Sequence, residues 1–97
     1  MRHRVDERPS QAFRRSRRYG VECRRLGLRI RQLRQARELT LEAASAKASL
    51  DITHLQKIEA GKLNVTMVTL VRLAEGLGIQ MADLFVATRE TKATRAR

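Results

Sequence analysis

The stretch from Leu39 to Gly61 has the sequence L-T-L-E-A-A-S-A-K-A-S-L-D-I-T-H-L-Q-K-I-E-A-G. Thr40 suits the N-cap of a short helix rich in small residues, because a threonine hydroxyl can accept a backbone N–H at a helix start. Ser49 follows in a turn, and Asp51 suits the N-cap of a second short helix. Gly61 can take the left-handed conformation that ends that helix. The stretch therefore predicts two short helices joined by a tight turn.

Outward from this pair, the sequence predicts only helices. Leu26, Ile30 and Leu33 recur at helical spacing within a helix from about Glu22 to Arg37. A further helix follows in the segment 66–78, and its predicted inner side consists of Met67, Leu70, Val71, Ala74 and Leu77. A last short helix covers residues 81–85. We therefore predict an all-α domain of five helices without strands.

Basic segments flank this domain. Residues 1–20 contain the only proline, few apolar side chains and many arginines. Such a segment cannot bury enough surface to offset its ordering entropy, so we predict a disordered basic arm over residues 1–20. The alternative is a short extra helix through residues 10–18, anchored by Phe13 and Tyr19. The helical domain is predicted to span residues 21–86, with a basic, flexible tail over residues 87–97.

The charge of the chain points to a polyanionic partner. Its 97 residues carry a formal net charge of +11, of which residues 1–25 contribute +6 and residues 86–97 contribute +3. No apolar run approaches the roughly 18 residues needed to span a bilayer, and the N-terminus lacks the apolar segment of a signal peptide. The single Cys23 cannot form an internal disulfide. We expect a cytoplasmic protein in which this thiol stays reduced.

The sequence offers no pattern of catalytic chemistry. His3 and His54 lie far apart without a cluster of metal ligands, and there is no glycine-rich phosphate loop. We expect neither an enzyme nor a metal or other cofactor. RNA binding is possible on charge alone, but three aromatic residues are few for recognition by base stacking.

The motifs together resemble the Cro/repressor-type (Xre-like) helix-turn-helix regulators. The resemblance covers about Leu26 to Phe85 and rests on R-I-R-Q-L-R at 29–34, L-T-x-E-A-A at 39–44, I-E-A-G-K at 58–62 and T-L-V-R-L-A-E-G-L-G-I at 69–79. All four motifs stand in the order and at the spacing of the family. The resemblance implies a five-helix, lambda-repressor-like DNA-binding domain. Its recognition helix, residues 51–60, would lie in the major groove of double-stranded DNA.

The resemblance also carries functional residues onto this sequence, position by position. The residues that would contact base edges are Ile52, Thr53, His54, Gln56 and Lys57. Those that would contact phosphates are Thr40, Lys62 and Asn64. Each of the base-contacting positions could instead be an ordinary solvated helix position, and Asn64 could be an ordinary turn residue.

Two further positions follow from the same resemblance. The family often pairs an arginine late in the first helix with the glutamate that ends the recognition helix, here Arg34 and Glu59. A carboxylate beside the core needs a partner, and a planar guanidinium can bind it through two parallel hydrogen bonds. We predict a structural ion pair that fixes the recognition helix.

Ser49 replaces the usual turn glycine, so either serine accepts the glycine geometry or the turn differs.

Two classes of function remain open from the sequence. The first is a transcriptional regulator, a repressor acting as a homodimer on an inverted-repeat operator of the nucleoid, with a dimer surface at residues 77–85 that includes Ile79, Met81 and Phe85. For these three side chains the alternative is the intramolecular core. The second class is an antitoxin-type or other protein-interaction module that also binds DNA.

Overall fold

The computed structural model describes residues 11–87 and contains helices only. The elements are α1 (Gln11–Arg14), α2 (Arg17–Ala36), α3 (Leu41–Lys47), α4 (Ile52–Glu59), α5 (Met67–Leu77) and a 3-10 helix (Met81–Phe85). Within the described range there is no strand, so the all-α prediction is confirmed. All five predicted helices are present, and the short α1 lies within the segment 10–18, where the sequence left an extra helix open as the alternative.

The N-terminal part of the domain begins earlier than the sequence predicted. Residues 11–20 belong to α1 and to the start of α2, so the predicted arm and the predicted domain boundary at residue 21 are wrong for this segment. The physical reason is local, because the Tyr19 N–H donates to Ser16 Oγ (3.1 Å), which caps α2. The rings of Phe13 and Tyr19 also lie 5.7 Å apart and hold α1 against α2. Residues 1–10 and 88–97 of the two predicted tails lie outside the described residues.

The core lies where α2, α4, α5 and the 3-10 helix meet. Its largest fully buried side chains, each 1% exposed, are Ile30, Leu55, Ile58, Leu73 and Leu84. Burying a side chain of this size stabilises a fold by roughly 1.5–3 kcal/mol. The small residues predicted to allow close packing of α3 are also buried, since Ala44 and Ala48 are 3% and 2% exposed.

The inner side of α5 differs from the prediction. The buried set is Thr69, Leu70, Leu73, Ala74 and Leu77, whereas Met67 is 65% and Val71 40% exposed. Met67 and Val71 also fit the helical period. The residues that are buried follow the spacing i, i+3, i+4, i+7 from Leu70, so the buried side includes Leu73 and excludes Val71. The sequence made two apolar sides of α5 nearly equivalent, one with Val71 and one with Leu73, and the packing of α5 on its neighbours determines that the side with Leu73 is buried.

Candidate nucleic-acid interface

The turn between α3 and α4 uses a left-handed serine. The Ala43 N–H donates to Thr40 Oγ1 (3.0 Å), so Thr40 caps α3 as predicted. Ser49 has φ +57°, which means that it accepts the geometry for which glycine is usual. The Leu50 N–H donates to the Ser45 carbonyl (2.8 Å) and closes the turn.

Helix α4 has no side-chain capping bond at its start and ends at a left-handed glycine. Asp51 occupies the predicted N-cap position with an extended backbone, but its carboxylate makes no capping hydrogen bond. At the other end, Gly61 has φ +74° as predicted. The Lys62 N–H donates to the Lys57 carbonyl and the Gly61 N–H to the Ile58 carbonyl, both at 3.0 Å. These two bonds form a Schellman motif, which satisfies the last carbonyls of the helix.

The two sides of α4 have opposite character. Leu55 and Ile58 are each 1% exposed and attach the helix to the core. Thr53, Gln56 and Lys57 are exposed on the other side. The two remaining residues expected to contact bases, Ile52 and His54, are half-buried. All five therefore lie on one short helix, and the three that are exposed share the side opposite the core.

An ion pair fixes the end of α4 to α2. Arg34 Nε donates to Glu59 Oε2 (2.7 Å), and Arg34 Nη2 donates to Glu59 Oε1 (3.1 Å). A third bond runs from Arg34 Nη1 to the Leu39 carbonyl (2.8 Å). The side chains are only 12% and 8% exposed, and the hydrogen bond to Glu59 raises the pKa of Arg34 above its ordinary value. Three charge-assisted bonds thus join α2, the start of the helix pair and the end of α4.

Gly27 is a structural determinant of the site that the sequence reasoning missed. A Cβ at this position would collide with the Ile58 carbonyl and would lie 2.7 Å from the Glu59 carbonyl oxygen. The backbone of α2 therefore touches the last turn of α4, and only glycine permits this distance. The available signal was a glycine inside an apolar helical pattern, which costs about 1 kcal/mol relative to alanine and usually has a packing reason.

Arg29 of α2 and Arg37, the C-cap residue of α2, also have structural partners that the sequence did not indicate. Arg37 Nε donates to the Leu77 carbonyl at the end of α5, and Arg29 Nε donates to the Asp83 carbonyl of the 3-10 helix, both at 2.7 Å. Carbonyls at helix ends lack partners within the helix, so these guanidinium groups satisfy them. Part of the positive charge of α2 is therefore used inside the protein.

The residues expected to contact phosphates lie at the two ends of the helix pair. Thr40, Lys62 and Asn64 are all exposed. Thr40 Oγ1 accepts the capping bond, and its own hydroxyl proton remains a possible donor. Lys62 and Asn64 lie in the loop between α4 and α5, where no side-chain hydrogen bond holds either of them within the described residues. Hydrogen-bond donors therefore lie directly before α3 and directly after α4 in the chain.

The described part of the chain has neither a metal-binding cluster nor a membrane-spanning helix. Residues 11–87 contain no group of three or more His, Cys, Asp or Glu side chains placed to hold a metal ion. None of the described helices is long and apolar enough to cross a membrane.

Comparison with known proteins agrees with this geometry. A family profile described as a helix-turn-helix domain matches residues 25–85. The chain belongs to this family. The resemblance to helix-turn-helix regulators is therefore confirmed, and the matched segment contains the helix pair, the Arg34–Glu59 ion pair and the loop after α4.

The relatives of this helix-turn-helix protein include regulators and controller proteins. It is 39% identical over 62 residues to the control protein C.MunI of Mycoplasma sp, covering 63% of this chain and 84% of that protein. It is 33% identical over 72 residues to the uncharacterized HTH-type transcriptional regulator y4dJ of Sinorhizobium fredii, covering 73% and 94%. The crystal structure of the restriction-modification controller protein C.AhdI from Aeromonas hydrophila is similar with a TM-score of 0.66 and 32% identity, covering 67% of this chain and 98% of that one.

Proposed function

We propose that this protein is a sequence-specific regulator of transcription that places α4 in the major groove of double-stranded DNA. The exposed face of α4 is the observation that carries the proposal. Thr53, Gln56 and Lys57 are exposed and form no side-chain hydrogen bond within the described residues, while the opposite side of the helix is buried. Their donors and acceptors are available to base edges, and their spacing is that of a recognition helix.

The scaffold around α4 supports the same proposal. The Arg34–Glu59 ion pair and the contact at Gly27 fix the helix against α2. A helix held in one position loses little conformational entropy when it binds, so more of its contact energy appears as affinity and discrimination. Thr40, Lys62 and Asn64 would bind phosphates on either side of the groove, and the net charge of +11 would attract the duplex.

We further propose that the protein binds an inverted repeat as a homodimer. Helix α4 has only eight residues, so one protomer contacts few base pairs, and two-fold symmetry doubles the interface. Of the three apolar residues expected at the dimer surface, the structure packs Ile79 and Met81 against the core and leaves Phe85 62% exposed. Phe85 and the adjacent Val86, 48% exposed, are therefore the proposed contact with a second copy.

The dimer is tested by Phe85→Glu, which places a charge in the proposed contact. We expect the variant to sediment as a monomer while retaining its helical circular dichroism, and to bind an inverted repeat at least tenfold more weakly. Val71→Glu is the matched control, because Val71 is an exposed valine of α5 outside the proposed contact. Equal sedimentation of wild type and Phe85→Glu would contradict the assignment.

The likeness to the controller protein C.AhdI supports a finer proposal about the regulated genes. We propose that this protein represses transcription at a locus for DNA restriction and modification, acting on nucleoid DNA in the cytoplasm and catalysing no reaction itself. The expected result is a selected DNA site that overlaps a promoter of such a locus. A reporter driven by that promoter should lose activity when the protein is expressed. Increased reporter activity would identify an activator instead.

Sequence specificity is tested by selecting bound sequences from random duplex DNA at near-physiological salt. We expect an enriched inverted repeat whose half-sites are centred about one helical turn, roughly 34 Å, apart. Thr53→Ala/Lys57→Ala should change the preferred sequence, whereas Lys47→Ala, which removes an exposed lysine from α3, should not. Tight binding without enrichment would contradict a sequence-specific regulator and would favour the interaction module that the sequence left as the alternative.

A further inference from the structure

One side of α2 carries a row of three arginines at seven-residue spacing. Arg17, Arg24 and Arg31 are all exposed. Residues seven apart on a straight α-helix differ by only about 20° around its axis, so the three side chains share one side of α2. At about 1.5 Å rise per residue, the row is about 21 Å long. We call these three residues the arginine ridge.

The arginine ridge passes the end of the recognition helix. A Cβ on Gly61 would lie 2.8 Å from Arg24 Cγ and 2.9 Å from Arg24 Cα, so the backbone of α2 touches the residue that ends α4. The guanidinium of Arg24 lies over Gly20, because a Cβ there would be 3.3 Å from Arg24 Nη1. Lys62 and Asn64, the residues proposed to bind phosphate, follow Gly61 directly in the chain. The arginine ridge is therefore next to the phosphate-binding end of the proposed interface.

The carboxylate of Glu22 on the same helix does not pair with the arginine ridge. Glu22 lies on another side of α2, where its Oε2 is 3.8 Å from Arg18 Nε and 3.4 Å from Arg25 Nη1. Between residues 11 and 87, no member of the arginine ridge forms an ion pair or donates a side-chain hydrogen bond. The same helix thus carries one pair of arginines bound to a carboxylate and one row without acidic partners.

We propose that the arginine ridge binds backbone phosphates of the DNA strand that flanks the groove occupied by α4. The proposal rests on the proposed function and extends its contact surface. Arg17 and Arg24 precede residue 25, where the match to the helix-turn-helix family begins, so two of the three phosphate contacts are an addition outside the family domain. Because phosphates carry no base identity, the arginine ridge raises affinity without changing which sequence is preferred.

The test compares two double variants of the full chain that remove the same charge from the same turns of α2. Arg17→Gln/Arg24→Gln removes two members of the arginine ridge, and Arg18→Gln/Arg25→Gln removes the pair bound to Glu22. Affinity for the selected inverted repeat is measured from 50 to 200 mM salt. Each lost phosphate contact lowers the slope of log K against log salt by about 0.9 per protomer. Two contacts in each of two protomers change the slope by about 3.6 for the dimer on the inverted repeat. The ridge variant should therefore lose roughly 150-fold less affinity over this fourfold salt range than wild type, and the control should stay close to wild type.

The outcomes separate this proposal from the function on which it rests. Equal salt slopes for the two double variants, with both folded by circular dichroism, would overturn the arginine ridge while leaving a sequence-specific regulator intact. A wild type that binds DNA without sequence preference would overturn the proposed function, and the same slopes, measured on that DNA, would still decide the arginine ridge. A changed sequence preference in the ridge variant would contradict its assignment to phosphates.

Discussion

The ion pair between Arg34 and Glu59 can be tested by a double-mutant cycle on stability. Arg34→Met removes the guanidinium at similar length, and Glu59→Gln retains the shape of the side chain without its charge. Arg34 donates two bonds to Glu59 and one to the Leu39 carbonyl, and both side chains of the pair are nearly buried. The cycle therefore measures the coupling free energy between the two side chains, which is the part of the stability that depends on both being present.

The structure gives an expected magnitude for each variant. Arg34→Met leaves the 8% exposed Glu59 carboxylate without its partner and should lower the free energy of unfolding by about 3–5 kcal/mol. Glu59→Gln loses the charge but can keep one hydrogen bond, and should cost about 1.5–3 kcal/mol. Either substitution alone already breaks the ion pair, so the second one removes little more. The double variant should therefore lose about 2 kcal/mol less than the sum of the losses in the two single variants.

The assay is urea unfolding at neutral pH, followed by circular dichroism, with thermal melting as a second readout. A domain of this size loses about 4–8 °C in Tm per kcal/mol. Glu59 raises the pKa of Arg34, so this contribution is fully present below the ordinary arginine pKa and is lost only as pH rises through the raised value. The coupling should therefore be constant across neutral pH.

The exposed pair of Glu22 and Arg25 serves as the internal control. Its side chains are 51% and 42% exposed, and the nearest charged atoms are 3.4 Å apart. The same cycle on Glu22→Gln and Arg25→Met should give a coupling of about 0.5 kcal/mol or less. If the cycle on Arg34 and Glu59 gave a coupling no larger than this control, the two residues would not act as a clamp.

Three further predictions concern the backbone of the helix pair and its neighbours, each measured by urea unfolding. Gly27→Ala should destabilise the protein by at least 2 kcal/mol despite the better helix propensity of alanine, because the added methyl group would collide with backbone carbonyls of α4. Gly20→Ala is the control, because the added methyl group would meet only the flexible end of the Arg24 side chain. This control should be neutral or stabilising by up to about 1 kcal/mol. Ser49→Gly should stabilise by about 0.5–1 kcal/mol, because it relieves a left-handed serine at some cost in unfolded-state entropy, and an unchanged or lower stability would contradict the strain. Thr40→Ala should lower the free energy of unfolding by about 1 kcal/mol, because it removes a capping bond. Asp51→Ala should lower it by only a few tenths of a kcal/mol, because the Asp51 carboxylate makes no capping bond. Equal losses would show that the capping bond of Thr40 does not stabilise the protein.

The sequence predicted the helix pair because its signals are local. A cap such as Thr40 and a terminator such as Gly61 act within one turn of the chain, and the apolar period of α4 selects Leu55 and Ile58 without reference to other elements. The exposed side of α4 follows from the same period. Residues with a direct local reason were therefore available from the sequence alone.

Local signals also have limits within the helix pair. Asp51 has the residue type and backbone of an N-cap, but its carboxylate is exposed and makes no capping bond, so residue type gave the position and not the interaction. The start of α2 was placed too late for a related reason. The composition of residues 1–20 favours disorder on average, whereas one capping serine and one aromatic contact were enough to begin the helix at Arg17.

What the sequence determined by itself was the order, type and approximate bounds of the helices, the polar face of α4 and the excess of positive charge. Only the tertiary structure decided that Gly27 touches the end of α4, that α5 buries Leu73 instead of Val71, and that Arg24 lies against Gly61. The reason is that periodicity fixes which residues share a side of one helix, whereas the rotation of that helix and its distance from its neighbours depend on the packing of every element at once.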